Sequence, residues 1–170
     1  LYRLPLRGWM LPRPMMNILN GGKHSDNGLE FQEFMIVPQA RKFSERIRQG
    51  SEVFHALKKY LHAHGLSTGV GDEGGFAPYL KHNEAALQAI AAATKQAGYR
   101  FGTDIKIALD PASSEFYTAK TGQYTVDKKK ISPKKLIDLY QRWSKRYHIM
   151  SIEDGLAEDD WLNWQLLTKQ

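Results

Sequence analysis

The chain has 170 residues, 42% of them hydrophobic and 25% charged, with a net charge of +6 and no cysteine. This size suits one domain and the balance suits an ordinary globular core, while the missing cysteines exclude disulfides and thiolate metal sites. No apolar run is long enough to span a bilayer and no charged-then-apolar leader marks a secretory signal. The basic residues are scattered apart from Lys128-Lys129-Lys130 and Lys134-Lys135, so the charge reads as solvated surface rather than as a nucleic-acid footprint.

Leu1 to Met10 shows no periodic pattern. Met15 to Leu19 reads as a short buried strand, and Phe34 to Val37 as another, bounded by Pro38. Ser44 to His64 reads as a helix, with Ile47, Val53, Phe54, Leu57, Tyr60 and Leu61 at three- and four-residue steps and Gly65 at its stop. Asn83 to Gln96 is a second helix, with Asn83 as the expected N-cap and Gly98 ending it. Ile105 to Leu109 is an apolar strand ending at Asp110. Ser132-Pro133 starts a helix through Arg146, His148 to Ile152 is a strand ending at Glu153, and Asp159 or Asp160 starts a last helix. Strands alternating with helices imply an α/β fold with a parallel sheet covered by helices. Short strands that end in acids place those acids on one rim, where β/α barrels build their active sites. A closed barrel of this kind has eight strands and typically about 250 residues. The four strands legible here therefore predict a sheet that does not close.

Four segments carry acids in settings that suit chemistry. Gly71-Asp72-Glu73-Gly74-Gly75 holds a carboxylate within a glycine-rich turn, where a ligand can approach the main chain. Asn20-Gly21-Gly22-Lys23-His24-Ser25-Asp26-Asn27 leads into Phe31-Gln32-Glu33-Phe34. Ile107-Ala108-Leu109-Asp110-Pro111-Ala112-Ser113-Ser114-Glu115-Phe116 and Ser151-Ile152-Glu153-Asp154-Gly155-Leu156 complete the set. Each alone reads as turn chemistry. Successive residues of a strand face opposite ways. Gln32 and Glu33 thus cannot both point inward unless a bulge or the strand's start intervenes, or one acts through the loop.

Taken in order with Pro12-Arg13-Pro14-Met15-Met16-Asn17, these segments resemble enolase over roughly Leu11 to Gln170. The resemblance implies a partial (β/α)8-type barrel that opens ββαα before regular βα repeats. Residues 1–11 would be a remnant of the connection from an amino-terminal domain, and residues 12–170 the first half of the barrel domain. It implies reversible, magnesium-dependent dehydration of 2-phosphoglycerate to phosphoenolpyruvate, in a cytoplasmic protein that is a homodimer at full length. No nucleic acid and no membrane span are implied.

By the same resemblance, Asp110 and Glu153 match magnesium ligands, and Glu73 the general acid, with Glu33 as its partner carboxylate. Gln32 matches a substrate contact and His24 a loop histidine that reaches the substrate. Asp154 and Glu115 read as supporting residues. Asp104, Asp138 and Asp159 are expected outside the cluster, His55, His62, His64 and His82 on helix or loop surface, and His148 at a strand start. The family's lysine base and third metal carboxylate belong to later strands, so the chain alone is expected to be inactive. Two other readings stand beside this one. A non-catalytic binding or moonlighting protein, at the cell surface or secreted, has the Lys128–Lys135 cluster as its support. An acid-sugar enzyme of the same superfamily is disfavoured by the absence of a Lys-x-Lys strand end.

Overall fold

The computed structural model describes residues 11–25, 27–71 and 73–169; of the expected connection 1–11, all but Leu11 lies outside the described residues. In chain order the strands are β1 (Met16–Asn20), β2 (Glu33–Pro38), β3 (Ile105–Asp110), β4 (Tyr117–Thr118), β5 (Gln123–Val126), β6 (Lys129–Ile131) and β7 (Ile149–Ile152). The helices are α1 (Phe43–Ala63), α2 (Asn83–Gln96), α3 (Pro133–Tyr147) and α4 (Trp161–Thr168). The main sheet has the order β1-β2-β3-β7 and does not close on itself.

The expectation of a wholly parallel sheet needs correction. β2 runs antiparallel to both β1 and β3, and only β3 and β7 are parallel. The link from β1 to β2 turns back on itself, the Gly21 amide donating to the Gln32 carbonyl and the Gly22 amide to the Leu29 carbonyl, both at 2.9 Å, so that the second strand returns antiparallel to the first. The consequence is functional. Because β2 is inverted, its first residue, Glu33, lies on the same rim as the last residues of β1 and β3.

The two faces of the sheet differ. Phe34, Ile36, Ile105, Ile107 and Leu109 point to the helices and share one core with Val53, Leu57 and Leu61 of α1, Leu87 and Ile90 of α2, and Leu136 and Tyr140 of α3. The alternate residues Met35, Val37 and Ala108 form a separate small cluster on the inner face. Ile47, expected on the apolar stripe of α1, is exposed instead, while Gly50 is buried with its Cα against the Met16 side chain. The stripe is shifted so that the helix comes close to β1.

A second sheet, β4-β5-β6, escaped the sequence reading. Lys128 was read there as part of a solvated loop. It forms, with Asp127, a two-residue hairpin turn in which both φ angles are positive, 49° and 62°, between the paired residues Val126 and Lys129. That is the turn whose twist matches antiparallel strands. Lysines 129 and 130 then lie on an exposed edge strand, where charge discourages pairing with other chains.

The caps also differ in part. Ser132 caps α3 as expected, accepting from the Lys135 amide, with Pro133 next. At α2 the cap is His82, whose Nδ1 accepts from the Ala85 amide at 3.1 Å, so this histidine is structural rather than surface. Asn83, fully buried, takes a different task. It donates to Glu30 (2.7 Å) and Asp127 (2.8 Å) and accepts from the Phe31 amide (3.0 Å), which pins the segment before Gln32 and Glu33. His148 is not a strand residue; it ends α3 in a left-handed conformation, φ 54°.

Phe31 is the centre of an aromatic cluster, with ring centroids of Phe116 and Trp143 both at 5.6 Å, Tyr140 at 5.9 Å and Phe34 at 6.3 Å. Its ring joins the β1–β2 link to β3's following segment and to α3. Replacing Phe31, which has no exposed surface, by Ala is expected to cost about 3–5 kcal/mol of unfolding free energy in urea titrations. Tyr79→Ala, at a residue 65% exposed, should stay within roughly 0.5 kcal/mol.

Candidate active site

Strand register sets the geometry of the rim. Asn20 pairs with Glu33 across β1 and β2, and Glu33 pairs with Asp110 across β2 and β3. Ala108 pairs with Ser151 and Leu109 with Ile152, and the Glu153 amide donates to the Leu109 carbonyl at 2.9 Å, so the parallel pairing runs on past β7 and sets Glu153 beside Asp110. Asn20, Glu33, Asp110 and Glu153 therefore form one row across four strands, each step about 4.8 Å. Glu33 and Asp110 lie two residues from Met35 and Ala108, so their side chains share the inner face with that cluster.

The expected conflict between Gln32 and Glu33 is resolved in the way the strand geometry demands. Glu33 is the first residue of β2 and points inward. Gln32 precedes the strand and works through the loop, its Nε2 lying 2.9 Å from His24 Nε2. The other imidazole nitrogen, Nδ1, is 3.7 Å from Glu33 Oε1 and has no hydrogen-bond partner although it is buried. The structure thus brings His24, Gln32 and Glu33 together.

The Glu73 turn docks on the end of β1. Phe76 donates to the Ile18 carbonyl at 3.0 Å, and Asn20 donates to the Phe76 carbonyl at 2.8 Å. The turn itself closes by Gly71 N–H to Gly75 O, 2.8 Å. Gly71 and Gly75 are required by contact, since a Cβ at Gly75 would meet the Asn20 Oδ1 at 2.6 Å and one at Gly71 the His24 carbonyl at 2.7 Å. Gly74 has φ +82°. Glu73, carried at the exposed tip, is near enough to raise the pKa of Glu33. Among the described residues no hydrogen bond joins the two carboxylates.

Glu33 has its pKa raised above the usual carboxyl range, by burial first and then by Asp110; His24 pulls the other way, and Glu73 and Glu153 add to the rise. Asp110 is raised as well, mainly by burial, with the Ala112 amide opposing. That amide donates to Asp110 Oδ1 at 2.9 Å, so Asp110 caps its turn with one oxygen and keeps the other for a ligand. Shortly after each strand-end acid a residue other than glycine is held at positive φ: Ala112, two positions after Asp110, at 51° and Asp154, directly after Glu153, at 43°. Such strain of about 1–3 kcal/mol per residue concentrates at sites where backbone must be aimed.

The remaining acids fall where expected. Asp104 pairs with Arg100 at 3.0 Å, and Asp138 with Lys134 at 3.4 Å. Glu115 pairs with Lys23 on the surface at 2.5 Å, linking the His24 loop to the segment after Asp110. His55, His62 and His64 are exposed on or beside α1. Among the described residues no three acid or imidazole groups converge as a ready metal cage.

The family model of the enolase C-terminal TIM barrel domain matches residues 8–170. The chain belongs to the enolase C-terminal barrel family. The open four-stranded sheet and its helices are part of that barrel. From the sequence Asn83 is expected only as a helix cap, and Asn17 and Asn20 carry no assigned role. Asn17 donates to Asn20 Oδ1 at 2.6 Å, and two asparagines in a five-residue strand are themselves a signal, because Asn is depleted in strands.

The raised carboxyl of Glu33 carries a pH signature. In the folded chain it binds its proton more tightly than the unfolded value of 4.5. Below 4.5 both states are protonated and there is no penalty. As pH rises past 4.5 toward the raised value, the folded state loses stability relative to the unfolded one. The urea midpoint of Glu33→Gln should therefore match wild type in acid and exceed it increasingly as pH rises to neutrality. A constant offset at every pH would contradict the burial and charge ascribed to Glu33.

Proposed function

We propose that this chain carries the acid and metal-ligand part of an enolase site, acting on 2-phosphoglycerate and phosphoenolpyruvate. The observation that carries the reading is the row Glu33–Asp110–Glu153, with His24 and the Glu73 turn beside it. A row of carboxylates on adjacent strands repels itself and calls for a cation. The donors are hard oxygens, and magnesium commonly uses one or two carboxylates and keeps waters or substrate oxygens for the rest. Asp110, with one oxygen free, and Glu153 fit that demand and would hold the ion. When bound, it supplies positive charge to the dianion formed on proton loss from the carbon beside a carboxylate.

The chain's own residues then divide the remaining work. Glu33, with its pKa raised chiefly by burial, gives up its proton less readily than an ordinary carboxyl at the rim. Glu73, on its exposed turn, delivers a proton to the departing hydroxyl, with Glu33 as proton partner. Gln32 orients His24 by the 2.9 Å contact, and the unpartnered His24 Nδ1 faces the carboxylates and the substrate. The base is not among these groups. Lys106 is on the inner face but four residues from Asp110, about 13 Å along the strand, and no lysine among the described residues stands at the rim's strand ends. The base and further metal ligands belong to later strands of the barrel, in a cytoplasmic, dimeric whole protein.

A non-catalytic binding role has one observation in its favour. Lys128, Lys129 and Lys130 are all exposed, and Lys134 and Lys135 follow on the first turn of α3. These lysines have no part in the rim.

Magnesium titrated into the chain and followed by amide chemical shifts should move residues at the ends of β3 and β7, with weak, millimolar-order affinity. Asp110→Asn and Glu153→Gln should each remove the shifts. Shifts that persist in both variants would place the ion elsewhere and sink the ligand assignment. The chain alone should form no phosphoenolpyruvate by ultraviolet absorbance. Turnover that Glu73→Gln abolishes would show that the base is already present.

A further inference from the structure

Two loops carry the proposed acid–base groups: residues 21–27 carry His24 and residues 71–75 carry Glu73. Beyond one 3-10 turn at Gly22–His24, the described residues of the two loops belong to no helix or strand. Both meet at Asn20, the last residue of β1, which has no exposed surface. The Asn20 backbone divides between them. Its N–H donates to the Phe76 carbonyl at 2.8 Å, immediately after the Glu73 turn. Its carbonyl accepts from Asn27 Nδ2 at 2.7 Å and from the Ser25 hydroxyl at 3.4 Å, on either side of the His24 loop's exit.

The side chain completes the junction. Its amide lies across the two ends of the Glu73 turn, against the Cα of Gly71 with Nδ2 and against the Cα of Gly75 with Oδ1. A Cβ built on Gly71 meets Asn20 Nδ2 and the His24 carbonyl together. The Asn20 amide, the Glu73 turn and the His24 loop thus share one contact point. Oδ1 is held by Asn17 Nδ2 at 2.6 Å, while Nδ2 is buried and has no partner. A buried, unpaired donor costs about 1–3 kcal/mol. The side chain stands there at that cost, in a place where an apolar residue of similar size would fill the space.

We propose that Asn20 is a positioning residue that locks the His24 loop and the Glu73 turn into one unit, so that the two groups are set relative to each other and to the Glu33–Asp110–Glu153 row through a single side chain. The tether also gives a reason for the two flanking glycines. Any Cβ at Gly71 would push the turn off Asn20 and off the His24 carbonyl at once. The inference rests on reading His24 and Glu73 as partners in one site, but the test below needs no turnover, so either can fail alone.

Amide hydrogen exchange on the 170-residue chain separates a tether from general support. In Asn20→Ala, the amides of His24, Gly71 and Gly74, bonded to Gly21, Gly75 and Gly71, should exchange faster together, by about tenfold for the loss of one or two hydrogen bonds. The amides of Ala97 and Leu136, at the far end of α2 and the start of α3, should be unchanged. Gly71→Ala, which keeps Asn20 and forces the contact apart, should give the same joint loosening and decides the matter if Asn20→Ala does not fold. Loosening of one loop without the other overturns the proposal. An equal acceleration of every amide also overturns it, since that is what loss of global stability alone would produce.

Discussion

The register of four strands is the constraint from which the rest of this structure follows. It sets three carboxylates next to one another on one rim, on a face that is partly withdrawn from water. Burial is the main reason the carboxyls of Glu33 and Asp110 have raised pKa values, with a neighbouring acid adding to each, Asp110 at Glu33 and Asp154 at Asp110. The core behind the sheet, made of Phe34, Ile36, Ile107 and Leu109 against the helices, is what prevents the strands from slipping. A shift of one residue would turn Glu33 or Asp110 into that core.

Much of this was legible in the sequence because the relevant signals are local. Apolar runs ending in Asp110 and Glu153, the periodicity of α1, the Ser132-Pro133 start and the stops at Gly65 and Gly98 each follow from backbone chemistry within a few residues. The direction of β2 was not legible from alternation, because an inward-facing row reads the same in either direction. Its inversion follows from the way the link to β1 closes on itself, Gly21 to Gln32 and Gly22 to Leu29, pairings that no local pattern announces. The β4-β5-β6 sheet was hidden for a different reason. Its turn is Asp127-Lys128 rather than a glycine pair, and its strands are two to four residues long, so lysine density dominated the local pattern.

The asparagines show a second kind of illegibility. Asn20 and Asn83 are both fully buried, and each joins segments far apart in sequence: Asn83 reaches Glu30 and Asp127, and Asn20 reaches Gly71 and Gly75. Nothing within a short window marks these contacts: Asn20 is only out of place in a strand, and Asn83 at a helix start reads as an ordinary cap. Acids and histidines are easier to find because their chemistry is named by their type. The groups that aim them are neutral amides, whose role exists only in the assembled fold.

The two asparagines also divide the site into parts of different stiffness. Asn83 fixes the approach to Gln32 and Glu33 against α2 and the β5–β6 hairpin, with the aromatic cluster around Phe31 directly behind it. Glu33 is thereby held by the core. His24 and Glu73 are carried on loops that share Asn20 as a common contact, held by polar contacts and by glycines that admit close approach. A rigid row of carboxylates and a softer pair of loops are therefore joined at the end of one strand. The end of β1 is where the two meet, because its last residue belongs to the carboxylate row by register and to the two loops by hydrogen bonding.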